Sequence, residues 1–376
     1  MTPRWKRLLF AALMVAGLLG FIEAIGATLY YLRFSTEQRR QVSVALGLEQ
    51  DDFNSVLRYL PHPYLNYVSN PDFTHPDGSR PHHPIGIRAT ELSLQSKSEG
   101  ALRLVALGGS TTYGMYFWDG DDVWPSLLTR YLDVAIPAAR LETINAGVPN
   151  YSTFELIGVA ALWLPELEAD IVLVHTGLND AFTVGYPDEG GPDNTAFRYS
   201  WTYRPLPAPL RTVMRRSWFA RAMGAGWLSR GSHAVGGMAD AMQYPTPSAE
   251  QVERLAPAAD GKYFRRNLHT LIALIRAAGA EPVLVEMPLN PGMERGLGPY
   301  YDAVSAAVVR NNRIMAEVAA EHGATWVPLY ARMRDPAHYK DAAHLDQAGM
   351  LLKAQLIAER IVPLVRDRLA VLTATD

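Results

Sequence analysis

The chain has no cysteine among its 376 residues. That excludes structural disulfides, zinc–thiolate sites and a cysteine nucleophile. It also lacks a strong charge of one sign. Basic residues number 35 and acidic residues 38, leaving a formal net charge of −3, which argues against a general nucleic-acid binder. No internal repeat and no low-complexity tract stands out. The glycine-rich stretch from Gly108 to Gly114 lacks the lysine of a phosphate loop, and no dinucleotide fingerprint occurs, so no cofactor is implied. What remains is an ordinary globular composition, 48% hydrophobic and 19% charged, long enough for one or two domains with a sizeable core.

The N-terminus carries the longest apolar run. Arg4, Lys6 and Arg7 precede a segment from Leu8 to Leu32. At about 1.5 Å per residue, some two dozen helical residues cross a hydrocarbon core of about 30 Å. The basic flank predicts a cytoplasmic N-terminus, although Arg33, Arg39 and Arg40 on the far side pull the other way. A cleaved signal peptide is the rival, since Ala24 to Ala27 offers small residues near a cut. A retained anchor is expected, because the apolar run continues through Leu32, with Tyr30 and Tyr31 suited to the interface. Glu23 is costly within a span. It sits near the outer boundary, is protonated, or pairs with another protein.

Residues 35–100 read as a lead-in. Ser35 to Leu60 is expected to be helical, capped by Ser35. Pro61 to Pro84 is rich in proline and holds His62, His75, His82 and His83. These lack recognisable ligand spacing, so the segment is expected to pack across the domain and not to bind metal. From residue 101 onward, short apolar runs alternate with amphipathic segments. Strands are expected at Leu102–Leu107, Leu141–Gly147, Ile171–Thr176, Pro282–Met287 and Thr325–Tyr330. Helices are expected at Asp121–Leu132, Ser152–Leu164 (stopped near Pro165), Tyr263–Ala278, Tyr300–His322 and Asp346–Leu369. This alternation implies βαβ units and a parallel sheet. The pattern breaks between residues 182 and 261, where only Leu210–Trp227 looks helical. Such an insertion serves as a lid or substrate loop, or as a membrane-facing or partner-facing arm.

Four short pieces fall at or beyond predicted strand ends: Gly109–Ser110, Asn145–Gly147, Gly177–Asp180, and Asp341–His344. In an open parallel sheet, ligands bind outside the carboxyl ends of the strands. Acyl transfer from an ester needs a nucleophile, a base, a group that orients the base, and donors for the oxyanion. Ser110 can be the nucleophile, His344 the base and Asp341 its orienter. The backbone N–H groups of Ser110 and Gly147, with the Asn179 side-chain amide, can form the oxyanion hole. Asp335 and His338 make a second Asp-x-x-His pair. Asp180 and Asp346 read as caps, and His175 as a satisfied core histidine. Thr112 stands where the second glycine of a Gly-x-Ser-x-Gly elbow would be, which disfavours an α/β-hydrolase.

Here the chain resembles the SGNH (GDSL-type) esterases and lipases, named for a serine, a glycine, an asparagine and a histidine in four separated blocks. Ser110, Gly147, Asn179 and the Asp341–His344 pair match those blocks in order, over roughly Leu102 to the C-terminus. The resemblance favours His344 over His338, because Leu345 and a helix from Asp346 follow it in the manner of that family. The resemblance implies a flavodoxin-like three-layer α/β/α sandwich with a parallel sheet. One N-terminal transmembrane helix (residues 1–34) precedes it here, and the insertion at 182–261 lies within the 101–376 domain. One block departs from the family, which usually has aspartate where Gly109 stands. That glycine form resembles a membrane-anchored bacterial branch, which also carries a segment like His62–Leu65. The implied activity is an extracytoplasmic serine esterase acting on an acyl group, O-acetyl among the options, of an envelope carbohydrate or lipid. Two rivals remain at this stage: an O-acyltransferase using the same serine, and a catalytically silent envelope scaffold.

Overall fold

A computed structural model describes residues 4–46, 59–62, 64–74, 78–88, 96–117, 120–194, 197, 208–228 and 246–375. His75 and much of the 182–261 insertion fall outside these. In chain order the helices α1 (Arg4–Arg33) and α2 (Thr36–Leu46) come first. Strand β1 (Ala101–Gly108), helices α3 (Ser110–Tyr113) and α4 (Trp124–Ala135), strand β2 (Arg140–Gly147) and helix α5 (Thr153–Leu167) follow. Next are strand β3 (Ile171–His175) and helices α6 (Leu178–Ala181), α7 (Ala208–Arg216), α8 (Trp218–Leu228), α9 (Ala249–Leu255) and α10 (Lys262–Ala277). The chain closes with β4 (Glu281–Val285), α11 (Pro299–His322), β5 (Thr325–Val327) and α12 (Gln347–Thr375).

The chain divides into two compact units. The first comprises Met1–Pro61 and Ser200–Tyr244; the second comprises His62–Tyr199 and Pro245–Asp376. The middle of the insertion thus belongs with the N-terminal helix, while its two flanks belong with the sheet.

In the second unit five parallel strands lie in the order β2-β1-β3-β4-β5. This is the flavodoxin-like order, whose switch point falls where the connections change side. Every residue of β1 and β3 is buried, as expected of central strands covered on both faces. Side chains alternate across the sheet. Leu102, Leu104 and Ala106 of β1 join Ile171 and Leu173 of β3 against Trp124, Leu127, Leu128 and Leu132 of α4 and Ala354, Ile357 and Ile361 of α12. Helices α5, α10 and α11 supply the opposite layer. Burying one such leucine contributes about 1.5–3 kcal/mol.

Several ends differ from the sequence expectation. Helix α5 runs through Pro165 to Leu167 and stops with Glu168 in the left-handed region at φ 49°. A proline in the last turn forfeits one bond, which the preceding turns tolerate. Strand β5 ends at Val327 instead of Tyr330, because the N–H groups of Leu329 and Tyr330 turn to Glu286 Oε2, each at 2.7 Å. Helix α9, unforeseen, opens with a capping box between Ser248 and Gln251. Helix α4 starts at Trp124, with a single 3₁₀ turn at Gly120–Asp122 before it. The final helix continues to Thr375, carrying Pro363 inside it.

In the first unit the expected helix Leu210–Trp227 is broken at Ser217 into α7 and α8. Of the expected helix from Ser35 to Leu60, α2 accounts for Thr36–Leu46, and the stretch 47–58 lies outside the described residues. Arg39 reaches back to the carbonyls of Tyr31 (3.1 Å) and Phe34 (2.6 Å). It thereby satisfies acceptors that the end of α1 leaves open. Helix α1 is one continuous helix of 30 residues, long and apolar enough to cross a membrane.

Candidate active site

The register of the sheet levels its carboxyl edge. Gly108 pairs with Gly147 on one side and His175 on the other. The segments that leave these strands therefore emerge side by side. After Gly109 the chain enters the single turn α3, with Ser110 as its first residue. A first-turn N–H has no acceptor within its own helix, so the Ser110 N–H is open toward the strand ends. Arg88, only 3% exposed, binds the other end of this turn. Its guanidinium donates to the carbonyls of Tyr113, Gly114 (2.9 Å) and Phe117 (2.7 Å). His82 adds a contact from Nε2 to the Tyr113 hydroxyl at 2.9 Å. The proline- and histidine-rich lead-in thus packs onto the serine turn. No group able to hold a metal ion occurs among the described residues.

Ser110 Oγ lies 2.8 Å from His344 Nε2. His344 Nδ1 lies 2.8 Å from Asp341 Oδ2 and 3.0 Å from Oδ1. An ionised carboxylate only accepts, so the Nδ1 proton belongs on the Asp341 side and Nε2 is left to accept from the serine. The loop that holds both residues is pinched by an antiparallel bridge between Tyr339 and Leu345. Asp341 Oδ1 also takes the N–H groups of Ala343 (2.9 Å) and His344 (2.8 Å). Burial alone would raise the Asp341 carboxyl. The hydrogen bond and charge of His344, with those two N–H donors, outweigh it and hold the carboxyl well below its ordinary range. His338 sits in a separate short turn, Pro336–His338, capped by Asp335. The hydrogen bond to Ser110 comes from His344.

Asn179 and Gly147 complete the neighbourhood in different ways. Asn179, in the turn α6, donates one amide hydrogen to Tyr151 O at 2.8 Å. Its nitrogen lies so close to Gly109 that a Cβ there would stand 2.5 Å away. Its second amide hydrogen has no acceptor within the chain among the described residues. Gly147 packs against the α3 backbone with no room for a side chain. Its N–H, however, donates to Asn145 Oδ1 at 3.0 Å, so in this state it is engaged within the chain. Asp180 binds Thr153 N (3.0 Å), Thr153 Oγ1 (2.5 Å) and Thr176 Oγ1 (3.1 Å), fastening α5 to the end of β3. Burial raises its carboxyl, against those hydrogen bonds. Asp346 caps α12 by accepting from Gly349 N at 2.7 Å.

Three neighbours carry no motif. Tyr116 donates its hydroxyl to Asp341 Oδ2 at 2.9 Å and sets its ring edge-on to His344. Burial, then the hydrogen bond and charge of Asp341, push the phenol up, so it stays a donor. Asn290 binds the carbonyls of the same loop through its side chain (Asp341 O, 3.1 Å) and backbone (Ala342 O, 2.9 Å). A lone tyrosine and a lone asparagine in loops gave no spacing by which to find them. Lys353 is different: it falls on the buried stripe of α12 beside Met350, Ala354 and Ile357, a position the helical period marks. Its Nζ lies 2.6 Å from Nε2 of His175.

Beside His344 opens a cavity of about 400 Å³. Leu178, Phe182, Leu289, Met293, Leu297 and Val304 make its wall largely apolar, and Asp341 and His344 form one rim. Leu178 adjoins Asn179 in the chain.

A family model for GDSL-like lipases and acylhydrolases matches residues 106–352, well over half of the chain. No curated protein matches. Among solved structures, a lipase/acylhydrolase from Enterococcus faecalis is 18% identical, with 70% of this chain and 97% of that one covered and a TM-score of 0.40. An acetylxylan esterase from Geobacillus stearothermophilus is 13% identical, covering 71% and 96%, with a TM-score of 0.42. An alpha/beta hydrolase from the metagenome of Lake Arreo, Spain, is 15% identical, covering 73% and 97%, with a TM-score of 0.41. The length of the family match decides the assignment. With a parallel five-stranded sheet beneath it and a serine, a histidine and an aspartate in line at its edge, this chain belongs to the GDSL-like lipase/acylhydrolase family and is an ester-hydrolysing enzyme.

Proposed function

We propose that Ser110, His344 and Asp341 hydrolyse a carboxylic ester whose acyl chain is longer than acetyl. The carrying observation is the line Ser110 Oγ–His344 Nε2–Asp341, with both links at 2.8 Å. Ser110 Oγ attacks the ester carbonyl while His344 Nε2 takes its proton. The imidazolium that forms is stabilised by the Asp341 carboxylate, and its proton then goes to the leaving alcohol. Water repeats the sequence on the acyl-enzyme, releasing the acid and restoring Ser110. The carbonyl oxygen, as it becomes an oxyanion, accepts from Ser110 N–H and the second Asn179 hydrogen. The Gly147 N–H joins them only if it leaves Asn145.

The apolar cavity supports the choice of acyl group. Small-molecule sites run to about 300–1,000 Å³, and this one exceeds what an acetyl group fills. An acyl chain laid along Leu178, Phe182 and Leu297 would bury apolar surface at about 25 cal/mol per Å². The reading is of a lipid-like ester, with α1 as a retained anchor and the sheet-bearing unit outside the cytoplasm. The glycine at 109 agrees with the membrane-anchored bacterial branch.

A fluorophosphonate probe on the full-length protein tests the nucleophile. Labelling is expected in the wild type and absent in Ser110→Ala; no labelling of the folded wild type would overturn the mechanism. Aryl esters from acetyl to decanoyl test the chain length. Turnover is expected to rise past acetyl and to fall again in Val304→Trp. A maximum at acetyl, unchanged by that substitution, would return the reading to a deacetylase.

A further inference from the structure

Helix α1 is dressed unevenly. From Arg4 to Phe21 every residue is exposed. At about 1.5 Å per residue that bare length is roughly 27 Å with its basic flank and roughly 21 Å from Leu8 on. Against a hydrocarbon thickness of about 30 Å, local bilayer thinning and snorkelling of Arg4, Lys6 and Arg7 make up the difference. From Ile22 onward the helix is covered in part by α8. The change occurs at Glu23. Its carboxylate accepts from Ser217 Oγ (2.6 Å), Trp218 N (2.5 Å) and Phe219 N (3.4 Å). It thus caps the N-terminus of α8, where a negative charge is favoured. One turn further, Gly26 meets the backbone of Phe219 so closely that no Cβ would fit. Glycine permits that kind of close helix contact in membranes. Tyr30 and Phe34 then pack with Trp218, Met214 and Ala225. The costly carboxylate of the apolar segment is therefore used within the chain.

These contacts fix a depth. Helix α8 runs alongside α1 in the same direction, with its N-terminal end at Glu23 and Gly226 beside Phe34. The α7–α8 turn is consequently its lowest point, level with the upper end of the bare stretch. That turn carries Arg215 and Arg216, both exposed, and neither forms an ion pair among the described residues. Phe219, 41% exposed, and Val213, 53% exposed, flank them. Arg221, by contrast, is buried over the Trp218 ring and binds the carbonyls of Met214 and Arg215 that end α7. One arginine of this hairpin is structural, and the two at its tip are free for an outside anion.

We propose that the α7–α8 turn is a phospholipid-binding tip, with Arg215 and Arg216 on headgroup phosphates of the leaflet from which α1 emerges. Guanidinium suits phosphate because its fork donates two parallel hydrogen bonds. The partner is set by the anchor itself: a turn fastened to a spanning helix at the end of its lipid-sized segment meets headgroups before anything else. The proposal rests on the reading that α1 spans the membrane.

The absence of cysteine permits single nitroxide labels on the full-length protein. Leu13→Cys labels the bare helix, and Val213→Cys labels α7 just above the tip. In vesicles of phosphatidylethanolamine and phosphatidylglycerol, the Leu13 label is expected to be reached by oxygen and hidden from a water-soluble nickel chelate. The Val213 label is expected to broaden the lipid phosphorus resonance. That broadening should drop several-fold in R215E/R216E. It should be retained in R215K/R216K, which keeps both charges, and in the unsubstituted tip when phosphatidylcholine, which carries the same phosphate, replaces the anionic lipid. A circular dichroism spectrum of R215E/R216E matching the wild type guards against a variant that merely misfolds. A Leu13 label open to the nickel chelate would remove the anchor and the tip together. A hidden Leu13 label with an unbroadened phosphorus signal would overturn the tip alone.

Discussion

Two histidines sit near the carboxyl edge of one sheet and do opposite things. His344 lies at a cavity rim with a carboxylate on Nδ1 and a serine hydroxyl on Nε2. His175 lies inside, 1% exposed, with the Val285 carbonyl at 3.3 Å from Nδ1 and the Lys353 amine on Nε2. The ring is the same; the partner decides. The carboxylate accepts the Nδ1 proton of His344 and leaves Nε2 to face the serine. Beside an amine, burial holds His175 well below the usual histidine range. Burial likewise pushes Lys353 well below the usual lysine range. Both groups are then neutral, the amine donating to Nε2 and the Nδ1 proton going to Val285 O. In the proposed mechanism the first pair moves a proton in each turnover; the second ties α12 to β3 without charge.

The contrast can be broken from either end. The largest effect should come from His344→Ala, which removes the base. Turnover of an aryl ester should fall about 10⁴–10⁶-fold, as when a triad member is lost, with little change in thermal midpoint. Asp341→Asn should come next. It leaves the ring in place but favours the wrong tautomer, for a loss of about 10⁴ in kcat. Lys353→Met acts on the other pair. It leaves His175 Nε2 buried without a donor, at a cost of about 1–3 kcal/mol by denaturant titration, while kcat changes far less than in the first two.

The same substitution should also show in the pH dependence of stability. An unfolded lysine keeps its proton up to about pH 10.4, whereas the buried Lys353 gives it up well below. Between those values the unfolded chain holds the extra proton, so wild-type stability should rise with pH. Lys353→Met should flatten that rise, as thermal midpoints from pH 7.5 to 10 would register. The smallest effect should be that of Tyr116→Phe, which removes one donor from Asp341. About 1 kcal/mol, or roughly fivefold in kcat, is expected. A loss as large as that of Asp341→Asn would give the phenol a larger part.

The sheet was legible in the sequence because its central strands are buried on both faces. Runs such as Leu102–Leu107 and Ile171–His175 leave little else to be. Strand ends were less legible, because they are decided by distant groups such as Glu286, which draws Leu329 and Tyr330 out of the ladder. Four separated motifs made the serine, histidine and aspartate visible. Their supports were not visible: Arg88 and Asn290 act on backbone carbonyls, which no pattern of side chains announces. The break at Ser217 was hidden for the same reason, since Glu23, almost two hundred residues earlier, supplies the cap.

Gly109 limits what its position can hold. The position that usually bears aspartate in the family is here occupied by the amide of Asn179, 2.5 Å from where a Cβ would begin. An aspartate at position 109 would therefore not fit the site as it stands: Asn179 would have to shift, and with it the donor proposed for the oxyanion.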